Sequence, residues 1–254
     1  MSLENLIFNS GNISIKYRFK PSTYDCKHLL IVMSGFNVPD PTIYDFTMLE
    51  HCRSAILWIK DDFNDKPAYY LCNDMNFGIE NGVSQLIKGV IDYVKPKITS
   101  TLGASKGGSM SLYYGVKHNI SNIITAVPQF KIGSYVAEGY WEDVGKQMMG
   151  NVTENNINML DNYLKTTLRL DKNKDRNIYL FTSPKDHQFL IEIKPNLSCF
   201  DGYSNFSLIE SNSTFIEKHN QVAGYNLNLI LSIIYQLENN IAPKIGHVKN
   251  GDSW

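Results

Sequence analysis

The stretch Ile98-Thr99-Ser100-Thr101-Leu102-Gly103-Ala104-Ser105-Lys106-Gly107-Gly108 constrains the fold more than any other part of this 254-residue chain. A β-branched run ends in a glycine cluster that leads straight into a helix-like pattern, and a serine is held between Gly103 and Gly107. The spacing satisfies Gly-x-Ser-x-Gly, the sharp turn from a sheet strand into a helix. Small flanking residues are required there, because a side chain would strike the strand or the helix. The turn pushes the serine hydroxyl beyond the sheet, where the helix N-terminus offers free N–H groups and a dipole that favours a developing anion. A phosphate-binding reading of these glycines fails on residue order. Lys106 follows the serine and precedes the glycine pair, whereas a Walker loop ends in Gly-Lys-Ser/Thr, and no Gly-x-Gly-x-x-Gly occurs.

The rest of the chain supplies a sheet for such a turn. Short apolar or β-branched runs recur as NLIFN, ISIKYRF, HLLIVMSGF, SAILWIKD, ITSTLGAS, NIITAVPQF, NIYLFTSP and FSLIES, with helix-length stretches between the later ones. This alternation predicts an α/β fold with a mostly parallel eight-stranded sheet, helices on both faces and a small helical cap. The first two runs, linked by Ser-Gly-Asn, read as an antiparallel hairpin. Helices are expected at 79–94, closed by Pro96, at 107–118 and at 222–238, where Leu227, Ile230, Leu231 and Ile234 would form one buried face. Residues 134–170 carry no strand signal and read as two or three helices inserted between strands as a cap. Residues 1–243 are therefore expected to be one domain carrying this cap, and 244–254 a polar tail.

Composition excludes several function classes. Hydrophobic residues make up 43% and charged residues 19%, the balance of a globular protein that folds unaided. A net charge of −1 provides no basic field for nucleic acid or an anionic membrane. The N-terminus lacks a signal-peptide pattern and no window reaches the ~18 to 20 apolar residues of a membrane span, so a cytoplasmic location is expected. Cys26, Cys52, Cys72 and Cys199 are scattered without a CxxC pair, which predicts free thiols in a reducing compartment and no bound metal.

A serine at such a turn needs a base and an orienting acid, in the chain order Ser, Asp or Glu, His. Asp186 follows the strand NIYLFTSP at once, on the sheet edge where open α/β sheets bind ligands. His219 lies in a loop after FSLIES and before the last helix, from which an imidazole can reach back to Ser105. His187, beside Asp186, is the rival base, although neighbours on an extended loop point apart. Asp201 and Glu210 are the rival acids. The oxyanion donors are expected to be the backbone N–H of Lys106 and that of Gly35 or Phe36 in the loop after HLLIVM. Asn37 in that loop and the cap aromatics Tyr140 and Trp141 are the expected substrate contacts. The Lys106 side chain is placed either to meet an anion or to stay solvated or cap the helix.

With Gly-x-Ser-Lys-Gly at the turn, Ser-Gly-Phe after the third strand, an Asp after the penultimate strand and a His some thirty residues on, the chain resembles a known group from about residue 28 to 238. It is similar to the α/β-hydrolase-fold capsule polysaccharide O-acetyltransferases of the meningococcal serogroup A type, and also to the acyltransferase-like component of the accessory secretion system. The resemblance implies acetyl transfer from acetyl-CoA to sugar hydroxyls, with Ser105 as nucleophile, His219 as base and Asp186 as its acid. It implies acetyl-CoA as co-substrate with no resident cofactor, and a polysaccharide acceptor. A serine esterase and a non-catalytic hydrolase-fold partner in glycan assembly are the competing expectations.

Overall fold

The computed structural model describes residues 4–37, 40, 42–63 and 65–251. The ends of the expected domain and tail, residues 1–3 and 252–254, lie outside them. Among the described residues nine strands form one sheet: β1 (Leu6–Ser10), β2 (Ile13–Lys20), β3 (His28–Met33), β4 (Ala55–Ile59), β5 (Ile98–Ala104), β6 (Asn122–Ala126), β7 (Asn177–Thr182), β8 (Asn205–Asn212) and β9 (His247–Gly251). Their order is β1-β2-β4-β3-β5-β6-β7-β8-β9. The β1–β2 and β2–β4 pairs are antiparallel and the rest parallel.

The β1–β2 hairpin is the one read from the sequence. The strand count is nine instead of eight, because residues 247–251, expected within the polar tail, pair with β8 in parallel. Their lack of apolar periodicity has a physical cause: β9 is an edge strand, mostly exposed, held by backbone pairing with β8.

The inner strands β3, β4, β6 and β7 are buried on both faces, which explains their continuous apolar runs. Successive side chains of β3 alternate between two cores: Leu29, Ile31 and Met33 pack on one side, Leu30 and Val32 on the other. Helix α1 (Gly78–Val94) covers the first core with Ile79, Val83, Leu86 and Ile87. It ends where Lys95 turns left-handed, with φ 48°, one residue before Pro96. Helix α2 (Lys106–Lys117) lies on the same face. Between β6 and β7 come α3 (Ile132–Ala137), a 3-10 turn (Gly139–Trp141), α4 (Glu142–Met149) and α5 (Glu154–Leu170).

The expected helix over 222–238 is two, α6 (Gln221–Tyr225) and α7 (Leu227–Glu238). Asn226 makes the break. Its amide donates to the Val222 carbonyl while its side-chain oxygen accepts from Ser211 Oγ, so the side chain competes with the helix ladder. The buried face of α7 is Ile230, Ile233, Ile234 and Leu237; Leu231 is only half-buried and Leu227 faces a cavity. No helix among the described residues is long and apolar enough to cross a membrane. All four cysteines are buried free thiols.

One buried histidine pins the sheet far from its ligand edge. Ser54 Oγ donates to Glu238 Oε1 at 2.7 Å, so it must accept from His28 Nδ1–H at 2.8 Å, and His28 Nε2 in turn accepts from Ser100 Oγ at 2.7 Å. Burial lowers the His28 pKa to about 4. Because the folded value lies below the unfolded one of ~6.5, its contribution to stability is fully present above that pH and is lost as pH falls toward 4. By about pH 5 the loss is about 2 kcal/mol. Urea unfolding across this range is expected to show a steeper acid limb for the wild type than for His28→Gln; equal slopes refute the assignment.

Candidate active site

β3 and β5 are sheet neighbours, with Met33 in register with Gly103, but the chain leaves β3 toward β4 and β5 toward β6, on opposite sides. Such a reversal opens a crevice at the carboxyl ends of the two strands. The loop after β3 and the turn after β5 meet there. A Cβ on Gly103 would lie 2.0 Å from the Gly107 carbonyl oxygen, and one on Gly107 would lie 2.1 Å from that of Met33. The glycines therefore let α2 close directly onto β3 and β5. Ser105 occupies the strained turn between them at φ 53° and ψ −123°, its N–H donating to the Ala126 carbonyl at 2.9 Å.

Two more segments bring titratable groups to this edge. Asp186, its side chain fully buried, accepts from the Gln188 N–H at 3.0 Å through Oδ1 and pairs with His219 Nδ1 at 2.8 Å through Oδ2. A carboxylate on Nδ1 fixes the imidazole tautomer and leaves Nε2 to act on a proton. His219 Nε2 is buried and has no hydrogen-bond partner among the described residues. It is not bonded to Ser105, yet both residues line one cavity of about 260 Å³. Bonds of this kind often form only when substrate binds.

The alternatives fall elsewhere. His187 turns to solvent, its side chain 71% exposed and 3.6 Å from Asp186 Oδ1, as adjacent loop residues pointing apart require. Glu210 is bonded to His247, and Asp201 is exposed.

Gly35, Phe36, Asn37 and Trp141 also line the cavity. The Gly35 N–H, expected as a possible oxyanion donor, is already given to Asp45 Oδ2 at 2.7 Å. The Phe36 N–H has no acceptor among the described residues. Lys106 is the first residue of α2, so its N–H has no acceptor inside the helix. Asn37 donates its amide to Asp45 Oδ1 at 2.8 Å, and the Asp45 N–H donates to Ser34 Oγ at 3.1 Å. Asp45 thus shapes this loop, a role that nothing in its sequence context marks.

The Phe36 and Trp141 rings stack at 4.2 Å and 17° and wall the cavity. Tyr140 packs its edge on Trp141 but is 76% exposed and absent from the cavity lining, because the 3-10 turn sends the two neighbours in different directions. The expectation for the Lys106 side chain is overturned. It is fully buried, its Nζ 2.6 Å from Asp61 Oδ2, and is neither solvated nor open to an anion. Burial lowers its pKa while Asp61 opposes the shift.

A strained serine at a strand-to-helix turn and a carboxylate-held imidazole lining one cavity, on a sheet of this order, define the α/β-hydrolase fold. No family model and no curated protein matches the chain. Solved structures do. The chain is similar to the capsule O-acetyltransferase of Neisseria meningitidis serogroup A, at 19% identity and a TM-score of 0.71, over 90% of this chain and 93% of that one. A histidine-to-alanine mutant of that enzyme in complex with CoA matches at 18% identity and a TM-score of 0.71, over 91% and 95%. The S-formylglutathione hydrolase of Staphylococcus aureus matches at 14% identity and 0.60, over 93% and 98%. The glycosylation-associated Gap123 complex of Streptococcus agalactiae matches at 15% and 0.55, over 98% of this chain and 42% of that one.

Proposed function

We propose that the protein is an O-acetyltransferase that moves an acetyl group from acetyl-CoA to hydroxyls of a bacterial capsule or cell-surface polysaccharide, through an acetyl ester of Ser105. The observation that carries the chemistry is the 2.8 Å Asp186–His219 bond, with the other imidazole nitrogen free beside Ser105 in one cavity. The likeness to an enzyme crystallised with CoA supports the choice of donor.

Ser105 Oγ attacks the thioester carbonyl carbon as His219 Nε2 takes its proton. Negative charge on the former carbonyl oxygen is met by the N–H groups of Phe36 and Lys106, each worth ~3 kcal/mol to the transition state. The C–S bond breaks, the CoA sulfur takes the proton from His219, and Ser105 keeps the acetyl group. An acceptor hydroxyl then gives its proton to Nε2 as its oxygen attacks the ester, and Ser105 leaves with that proton. The stacked Phe36 and Trp141 give the cavity an apolar aromatic wall against which a sugar acceptor can pack.

The test is CoA release from acetyl-CoA with and without de-O-acetylated polysaccharides, together with mass spectrometry of the peptide holding Ser105. Release that depends on the glycan, with a transient acetyl on Ser105, is expected. His219→Ala is expected to reduce turnover by about 10³-fold or more and His187→Ala by less than about twofold. Equal release in water alone replaces transfer with hydrolysis. No release and no acetyl-serine identify a non-catalytic partner instead.

A further inference from the structure

Beneath the turn lies a second polar arrangement that takes no part in the proton transfers above. The Lys106 ammonium, 2.6 Å from Asp61 Oδ2, also sits 4.9 Å from the Phe36 ring centroid and 5.0 Å from that of Tyr70. Asp61 Oδ1 accepts the N–H groups of Ala68 and Tyr70, both at 3.0 Å. The Tyr70 phenol oxygen accepts the Ser34 N–H at 2.7 Å and donates to the Ile59 carbonyl at 3.0 Å. From α2, Tyr114 Oη donates to the Tyr70 carbonyl at 2.7 Å. Tyr69 and Tyr70 are wholly buried and both left-handed, at φ 51° and 54°, a conformation that persists only where the surroundings hold it.

These contacts tie the start of α2 to the loop after β3 through the end of β4. A buried ion pair is a poor device for stability alone, since well-packed apolar side chains of the same volume serve as well or better. It does set geometry. The two segments it joins carry the N–H of Phe36, which has no acceptor among the described residues, and the N–H of Lys106, the residue that follows Ser105 at the start of α2.

We infer that the Lys106–Asp61 pair, with Tyr70, is a positioning device that sets the spacing of the Phe36 and Lys106 N–H groups as an oxyanion hole. The inference rests on the acyl-transfer reading. The Lys106 charge is matched by Asp61, so its contribution is placement of its own backbone and of the Phe36 loop. A pair of donors preorganised in this way acts on the limiting rate and leaves ground-state binding unchanged.

The test uses the full chain and a p-nitrophenyl alkylphosphonate. Ser105 Oγ bonds to phosphorus, p-nitrophenolate leaves with the electrons of its P–O bond, the serine proton passes to His219 Nε2, and the phosphoryl oxygen takes the oxyanion position. Wild type, the double variant Lys106→Met/Asp61→Asn, and Tyr70→Phe are compared by p-nitrophenolate release against reagent concentration. The expected result is a limiting rate lower by about tenfold or more in both variants, with the half-saturating concentration unchanged.

Wild-type limiting rates in both variants, or unchanged limiting rates with weaker half-saturation, overturn the inference and leave a structural ion pair. Should the double variant fail to fold, Tyr70→Phe, which keeps the ion pair, decides by the same criterion. A wild-type protein whose Ser105 takes no label overturns the acyl-transfer reading and this inference with it, which separates the two failures.

Discussion

On the proposed mechanism Ser105→Ala is expected to lower glycan-dependent CoA release by about 10⁴-fold or more, to background, because no oxygen would remain at the turn to carry the acetyl group. The fold is expected to survive. Alanine adopts the turn at φ 53° and ψ −123° no worse than serine does, and it removes no hydrogen bond of the serine side chain recorded in the structure. The melting temperature should therefore stay within a few degrees of wild type, or rise slightly, as when a functional residue held in strain is replaced. An alanine variant that retains turnover refutes the nucleophile, and with it the transfer mechanism, whatever the fate of His219.

Gly107→Ala is expected to have the largest effect on stability. Its new Cβ would sit 2.1 Å from the Met33 carbonyl oxygen and 2.9 Å from the Ser34 carbonyl carbon, both backbone, so either α2 or β3 must shift. A destabilisation of about 3 to 5 kcal/mol follows, at the upper end for overpacking. For a chain of this length that lowers the melting temperature by roughly 10 °C. Gly89→Ala is the matched control: the position is exposed in α1 with nothing within 4 Å of the new Cβ, and the change should stabilise by about 0.5 to 1 kcal/mol. If the two substitutions have equal effects, steric closure of the turn is not what the glycines serve.

The contrast between these glycines shows which features were legible in the chain. Gly103 and Gly107 flank a serine after a β-branched run, a pattern with one economical geometry. Gly89 sits in an amphipathic helix and carries no such information. The segment from Asp186 to His219 was legible through topology, since an acid after a late strand and a histidine before the last helix must reach the same sheet edge. His187 was separable from His219 only in part: sequence places both near the edge, and only the coordinates show one imidazole on Asp186 and the other in solvent.

The parts that escaped have specific causes. β9 has a single apolar residue, Val248, and no apolar alternation, because an edge strand is held mainly by its backbone. The break at Asn226 depends on Ser211, fifteen residues away, which no helix periodicity records. Asp45 and Asp61 read as ordinary polar loop residues, and their partners at positions 34 to 37 and at 106 are assigned by the fold.

From the residues alone follow the alternation of strands and helices, the hairpin, and the serine turn, because each is decided by sterics and side-chain period within a few neighbouring positions. The direction of the Lys106 side chain, the loss of the Gly35 N–H to Asp45 and the free face of His219 came only with the folded chain. Each turns on which distant group is nearest once the sheet has closed, and a hydrogen bond or ion pair is set by that distance and by burial, neither of which local sequence encodes.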